Sequence, residues 1–107
     1  CSDGHGGEQY YRSIAEAESA DAFYKQCMAT AQEDTVADQW CSQIYCRIVR
    51  KHKLLFVAEP EQAQMITDMK AEYFPTLEAA YARARELKGA DASLTCIPNG
   101  ISVVVRD

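Results

Sequence analysis

Apolar residues recur along the first half of this chain at helical spacing. Ser2 to Glu8 is a polar, glycine-rich loop that leads into a short helix carrying Tyr10, Tyr11 and Ile14. A second helix is expected from Ala20 to about Thr30, with Ser19 as its N-cap and Asp21 in the first turn, where a carboxylate suits the helix dipole. The third is the best defined. Thr35 followed by Asp38 resembles a capping box, Val36, Trp40, Ile44 and Ile48 recur every four residues, and the helix should end near Lys51. The basic cluster Arg47, Arg50, Lys51, His52 and Lys53 falls at its C-terminal end, where cations are favoured, and His52 is read there as a surface residue.

The second half alternates strand and helix. Leu54 to Ala58 is a continuous apolar run, as expected of a strand covered on both faces, and a helix from about Glu61 to Met69 follows. Glu72 to Phe74 is a second short strand. Thr76 then caps a helix whose apolar face is Leu77, Ala80, Tyr81, Ala84 and Leu87, and Gly89 stops it. Ser93 to Ile97 is a third strand, and Asn99-Gly100 marks a tight turn before the apolar run Ile101 to Val105. This order predicts an α/β fold: a small open parallel β-sheet with helices on both faces, joined by right-handed crossovers and preceded by an N-terminal helical segment. The predicted core comprises Ile44, Ile48, Leu55, Val57, Leu77, Tyr81, Ala84, Leu94 and Cys96.

Composition narrows the possible partners. The chain has 107 residues, one domain's worth, and a net charge of −5, which argues against nucleic acid because phosphate binding draws on an excess of Lys and Arg. No apolar run approaches the roughly 20 residues that span a bilayer, so no membrane partner is expected. Five cysteines, an odd number without zinc-type close pairs, suit free thiols packed as small hydrophobes and a reducing, cytoplasmic setting. The chain opens on Cys1 and a glycine-rich loop, which reads as the start of a domain cut from a longer polypeptide.

Three places could carry chemistry. On a helical wheel Gln39, Gln43, Arg47 and Arg50 form a polar stripe opposite Trp40 and Ile44; amides one turn apart can bind a carboxylate or hydroxyl, although a solvated face has the same pattern. In Gly4-His5-Gly6-Gly7-Glu8 the glycines permit positive φ or a close backbone approach and His5 brings an imidazole to the same place; an ordinary turn is the rival reading. Asn99 and Gly100 follow a predicted parallel strand, at the end where open α/β sheets bind ligands. No catalytic set and no metal site can be assembled from these residues.

Taken in order, Asp3-Gly4-His5-Gly6-Gly7-Glu8, Thr35 through Asp38-Gln39-Trp40 and Gln43-Ile44, Leu77-Glu78-Ala79-Ala80, and Ile97-Pro98-Asn99-Gly100-Ile101-Ser102-Val103 resemble the C-terminal domain of the nickel-dependent lactate racemase family over essentially the whole chain. The resemblance implies a domain, inactive alone, that forms one wall of a substrate cleft in a racemase or epimerase of small 2-hydroxy acids. It further implies that the nickel pincer nucleotide, its Lys and the His acid/base groups belong to a preceding N-terminal catalytic domain of the same polypeptide. The substrate-binding residues it implies here are Gln39, Trp40 and Gln43, with His5, Gly6, Gly7, Asn99 and Gly100 from the two loops. Ser42 stands where lactate-specific members carry Lys, which leaves the particular hydroxy acid open. The competing reading is a stand-alone, non-enzymatic module that binds a small ligand or another subunit.

Overall fold

The computed structural model describes residues 4–102. Three helices make up the first half: α1 (Glu8–Ala15), α2 (Ala20–Ala29) and α3 (Gln39–Val49). Positive φ at Gly4 and Gly6 turns the chain into α1. The Ser19 side chain accepts the Ala22 N–H at 3.1 Å and caps α2 as the sequence predicts. The helices close on Ile14, Ala20, Phe23 and Cys46, with Met69 reaching in from the second half. Ile14 has no exposed surface, and such burial is worth about 2 kcal/mol.

The second half is β1 (Leu55–Val57), α4 (Ala63–Asp68), β2 (Glu72–Phe74) and α5 (Leu77–Lys88). The strands pair in parallel, Leu55 with Glu72, Phe56 with Tyr73 and Val57 with Phe74, so a crossover helix lies between them as the alternation predicts. Helix α5 packs along both strands. Phe56 points the other way, into a small cavity shared with Tyr10, Tyr45, Met65 and Met69, so the sheet is covered on both faces. Thr76 accepts the Ala79 N–H at 3.2 Å to start α5, and Gly89, at φ 89°, ends it.

Three hydrogen bonds close the seam between the halves. Tyr11 Oη donates to Asp68 at 2.6 Å, Tyr45 Oη donates to the Met69 carbonyl at 3.0 Å, and Lys70 Nζ donates to the Ala15 carbonyl at the end of α1 at 3.1 Å. The last also places a cation at a helix C-terminus.

The structure corrects four expectations. Ser93 to Ile97 forms no strand: this segment makes no ladder with either strand, and Leu94 and Ile97 are 66% and 51% exposed. A short apolar run becomes a strand only where another strand offers it hydrogen bonds, and none does so among the described residues. Asn99, at φ 54°, starts a single 3₁₀ turn (Gly100–Ser102) rather than a hairpin, and the rest of the expected Ile101 to Val105 run lies outside the described residues. Helix α3 begins at Gln39, because the Thr35 hydroxyl donates to the Gln32 carbonyl at 2.9 Å instead of capping it.

The fourth correction concerns which side of α3 is inside. Its buried residues are Ser42 and Cys46, backed by Tyr45 and Val49, while Trp40, Ile44 and Ile48 point outward. The two arcs lie roughly opposite each other at 100° per residue. Small side chains at Ser42 and Cys46 let α1 approach closely, with the Ser42 hydroxyl 3.5 Å from the Tyr10 carbonyl oxygen; an indole would hold the helices apart. Other expected core residues also lie near the surface: Val57, Leu77, Tyr81, Leu94 and Cys96 are exposed, and Leu55 and Ala84 only half-buried.

Candidate functional site

The N-terminal end of α3 is built on an unusual residue. Asp38, its N-cap, sits in the left-handed region at φ 61°, ψ 3°, and its side chain makes no capping bond. Its carbonyl accepts the N–H groups of Cys41 at 3.0 Å and Ser42 at 3.2 Å, and its carboxylate lies against the Gly7 backbone. A β-carbon on Gly7 would sit 3.0 Å from Asp38 Oδ2, so the glycine-rich loop and the start of α3 meet where a side chain would crowd them.

Three predicted residues share one hollow. Gln39, Trp40 and Gln43 line a groove of about 260 Å³ on the α2 side of α3. Gln39 Oε1 accepts the Val36 N–H at 3.3 Å, which leaves its amide N–H groups free to donate. Gln43 Nε2 faces Met28 Sδ at 3.2 Å, a weak acceptor. Trp40 also borders a more apolar groove of about 490 Å³ together with Gly7, Tyr10, Ile44, Tyr45 and Ile48. Gly7 and Trp40 therefore meet on one surface. A further groove of about 610 Å³, between α1 and α2, reaches Gln39 at one end.

His5 lies behind this surface. It lines the cavity of about 170 Å³ that Tyr10 and Tyr45 separate from the Trp40 groove. Its ring stacks on Tyr11 with centroids 4.5 Å apart, its Nε2 is 3.7 Å from Glu8, and its buried Nδ1 has no hydrogen-bond partner among the described residues. Gly6 carries its positive φ in the open. Asn99 and Gly100 line none of these four hollows. At the far end of the expected polar stripe, Arg50 is held elsewhere: it pairs with Asp21 at 2.8 Å and lies over the Tyr24 ring.

The titratable groups near the seam are set by burial and hydrogen bonds. Burial pushes the Tyr45 phenol up to about 12 and the Cys46 thiol up to about 11, so both stay protonated at neutral pH. The bond from Tyr11 holds the Asp68 carboxyl below its ordinary value, helped by Gln64, and the same bond raises the Tyr11 phenol. No three His, Cys, Asp or Glu side chains converge among the described residues, so no donor set there fits nickel.

Sequence reasoning missed the left-handed Asp38 and the edge-on Tyr10–Tyr45 pair, whose ring centroids are 6.1 Å apart. Asp immediately before the helical run was a usable signal for a helix start; the Tyr pair spans two helices and has no local signature.

The helical unit packed on a two-stranded parallel sheet, with polar and aromatic groups gathered at the open end of α3, defines a small α/β domain. The chain belongs to the lactate racemase C-terminal domain family, which matches residues 1–105. It is 36% identical over 104 residues to the lactate racemase of Lactiplantibacillus plantarum, covering 97% of this chain and 24% of that protein. It is 32% identical over 107 residues to the lactate racemase of Thermoanaerobacterium thermosaccharolyticum, covering all of this chain and 25% of that protein. The solved structure of the lactate racemase apoprotein from the latter organism superposes with a TM-score of 0.93 at 32% identity, over 100% of this chain and 26% of that one. The chain thus spans about a quarter of the length of the curated relatives it matches.

Proposed function

We propose that this chain is the C-terminal, substrate-cleft domain of a nickel-pincer-nucleotide-dependent racemase or epimerase of small 2-hydroxy acids, and that it is inactive alone. The observation that carries the reading is likeness along essentially the whole chain, in sequence to about one quarter of two lactate racemases and in backbone to one of them. On this reading the residues before this domain form the catalytic domain, which holds the nickel pincer nucleotide and the acid/base groups. The cofactor supplies the hydride acceptor when bound. This chain's own residues bind, orient and exclude water.

Gln39, Trp40 and Gln43 are the contacts we assign to the substrate, with the Gly6–Gly7 backbone beside them. His5 stands behind the Tyr10–Tyr45 pair, and Asn99 and Gly100, which line none of the four hollows, are assigned to the substrate on the family resemblance alone. From Asp38 to Gln43 α3 carries no cation, and Ser42 is fully buried. This wall therefore offers a substrate carboxylate no cation: it contributes amide hydrogen bonds and an indole face, with the charge that pairs a carboxylate supplied from across the cleft. A cytoplasmic setting belongs to the same reading and is supported by unpaired thiols at Cys27, Cys41, Cys46 and Cys96. Among the described residues no helix is long and apolar enough to cross a membrane.

The test is to express the full-length polypeptide with its cofactor and offer it single enantiomers of a panel of 2-hydroxy acids, with the 107-residue chain in parallel. Interconversion by the full-length protein and none by the 107-residue chain is the expected result. A loaded full-length protein that interconverts no 2-hydroxy acid overturns the reading.

A further inference from the structure

The cavity behind the Tyr10–Tyr45 pair lies where the two halves of the domain meet. Tyr10 of α1 and Tyr45 of α3 line one side of it, and Phe56 of β1, Met65 of α4 and Met69, which caps α4, line the other. Met65 and Met69 stand one turn apart, with the Met69 N–H donating to the Met65 carbonyl at 3.1 Å, so their side chains reach the same space. At about 170 Å³ that space is of the size of an engineered cavity, about 150 Å³, that stays dry and binds benzene. Its wall is almost wholly apolar, but His5 belongs to it, and the buried His5 Nδ1 has no hydrogen-bond partner among the described residues. The Glu8 carboxylate, 3.7 Å from Nε2, draws the ring proton to that nitrogen and leaves Nδ1 as an acceptor.

We propose that this cavity binds a small neutral aromatic molecule with a single hydrogen-bond donor, a phenol in size and chemistry, whose hydroxyl donates to His5 Nδ1. None of Gln39, Trp40 and Gln43 lines the cavity, so the site stands apart from the one assigned to the 2-hydroxy acid and does not depend on the racemase reading.

Each feature of that ligand answers a feature of the wall. Water serves the space poorly, because an ordered water needs roughly two to four polar partners. The Tyr45 hydroxyl already donates to the Met69 carbonyl at 3.0 Å, which leaves His5 Nδ1 as the orphan. A donor is required because Nδ1 accepts. The donor must be neutral, since a carboxylate or an ammonium would give up its hydration with no opposite charge among the lining residues. A flat ring suits the rest, because thioether sulfurs and aromatic edges make favourable contacts with an aromatic face. Tyr10 and Tyr45 also border the Trp40 groove, so an occupant braces the two rings that part the cavity from it.

The test is a titration of the full-length polypeptide, methyl-labelled at methionine, with phenol and with toluene, which has the same shape and no donor. The methyl signals of Met65 and Met69 are assigned through Met65→Leu and Met69→Leu, and Met28, 61% exposed on α2, serves as internal comparison. Millimolar phenol is expected to shift the Met65 and Met69 signals saturably and to leave Met28 unmoved. In His5→Leu toluene should still bind, while the affinity for phenol relative to toluene falls at least about tenfold, as expected when the hydroxyl loses its acceptor. Absence of a saturable shift at Met65 and Met69 in the unsubstituted protein overturns the proposal, and this result needs no variant to fold. A shift shared equally by Met28 means surface association and overturns it too. A phenol-to-toluene ratio unchanged in His5→Leu also overturns it, because the imidazole would then not be the acceptor.

Discussion

The carboxylate of Asp38 is pressed against the backbone of Gly7, with Oδ2 3.0 Å from where a β-carbon would stand, so the glycine-rich loop and the first turn of α3 are held as one unit. Asp38 holds this place in a left-handed conformation that an L-residue adopts at a cost of about 1 kcal/mol or more, and that glycine adopts freely. Replacing Asp38 by Ala should therefore destabilise the chain by about 1 kcal/mol more than replacing it by Gly, since only Ala keeps the strain while losing the local polar contacts. Urea midpoints of the two variants check this. Equal stabilities would mean the left-handed turn relaxes once the carboxylate is gone.

Gln39→Ala removes an amide whose one internal bond, to the Val36 N–H at 3.3 Å, is solvent-exposed. Its effect on folding should stay below about 0.5 kcal/mol, as for other substitutions near the surface. If the full-length polypeptide has the proposed racemase activity, the same change should lower its kcat/KM by about 1 to 3 kcal/mol in activation free energy, the worth of a lost substrate hydrogen bond. Steady-state kinetics beside a thermal melt separates the two effects, and an unchanged kcat/KM removes Gln39 from the substrate contacts.

The cysteines should differ widely in reactivity. Cys96 is exposed, whereas Cys46 is fully buried with its thiol pushed up to about 11. At pH 8 about one Cys46 in a thousand is a thiolate, so an aromatic disulfide reagent should modify Cys96 in seconds and leave Cys46 untouched in the folded chain. Cys46→Ser should cost about 1 to 3 kcal/mol, because it places a hydroxyl where burial leaves it without water. Rapid modification of Cys46 under native conditions would show that the α1–α3 contact opens easily.

Acid should loosen the seam. Asp68 is held below its ordinary value first by the Tyr11 hydroxyl and then by Gln64; Asp21 is lowered by its bond with Lys25 and Glu72 by its bond with Arg83. In each case the folded carboxyl binds its proton more weakly than the unfolded one. The stability these groups contribute is present above about pH 4, the ordinary carboxyl range, and is lost as pH falls through their depressed folded values. The stability curve should therefore fall on the acid side. Tyr11→Phe should raise the Asp68 titration midpoint measured by carboxyl NMR and reduce the acid sensitivity of folding. An unmoved midpoint would mean that the 2.6 Å bond does not persist in solution.

Local chemistry was enough to read most elements from the sequence. Ser19 and Thr76 offer hydroxyls to N–H groups three residues on, Gly89 adopts the positive φ that ends a helix, and the order of apolar runs dictates a parallel pair joined through a helix. The family likeness was also legible there, because its motifs keep their order along the chain. What the sequence could not decide is which apolar surface faces inward. Trp40, Ile44 and Ile48 make the stronger stripe by hydrophobicity, yet the helix turns Ser42 and Cys46 to the core, since close packing against α1 and α2 depends on shape and size. The Ser93 to Ile97 run shows the same limit: its β-forming residues stay unpaired because a strand exists only with a partner, and partners are set by tertiary structure. The approach of Gly7 to Asp38, 31 positions apart, and of Tyr11 to Asp68, 57 positions apart, likewise came only from the tertiary placement of α1, which packs on α3 and reaches α4 through the Tyr11 hydroxyl, because nothing local in a sequence encodes a contact between distant segments.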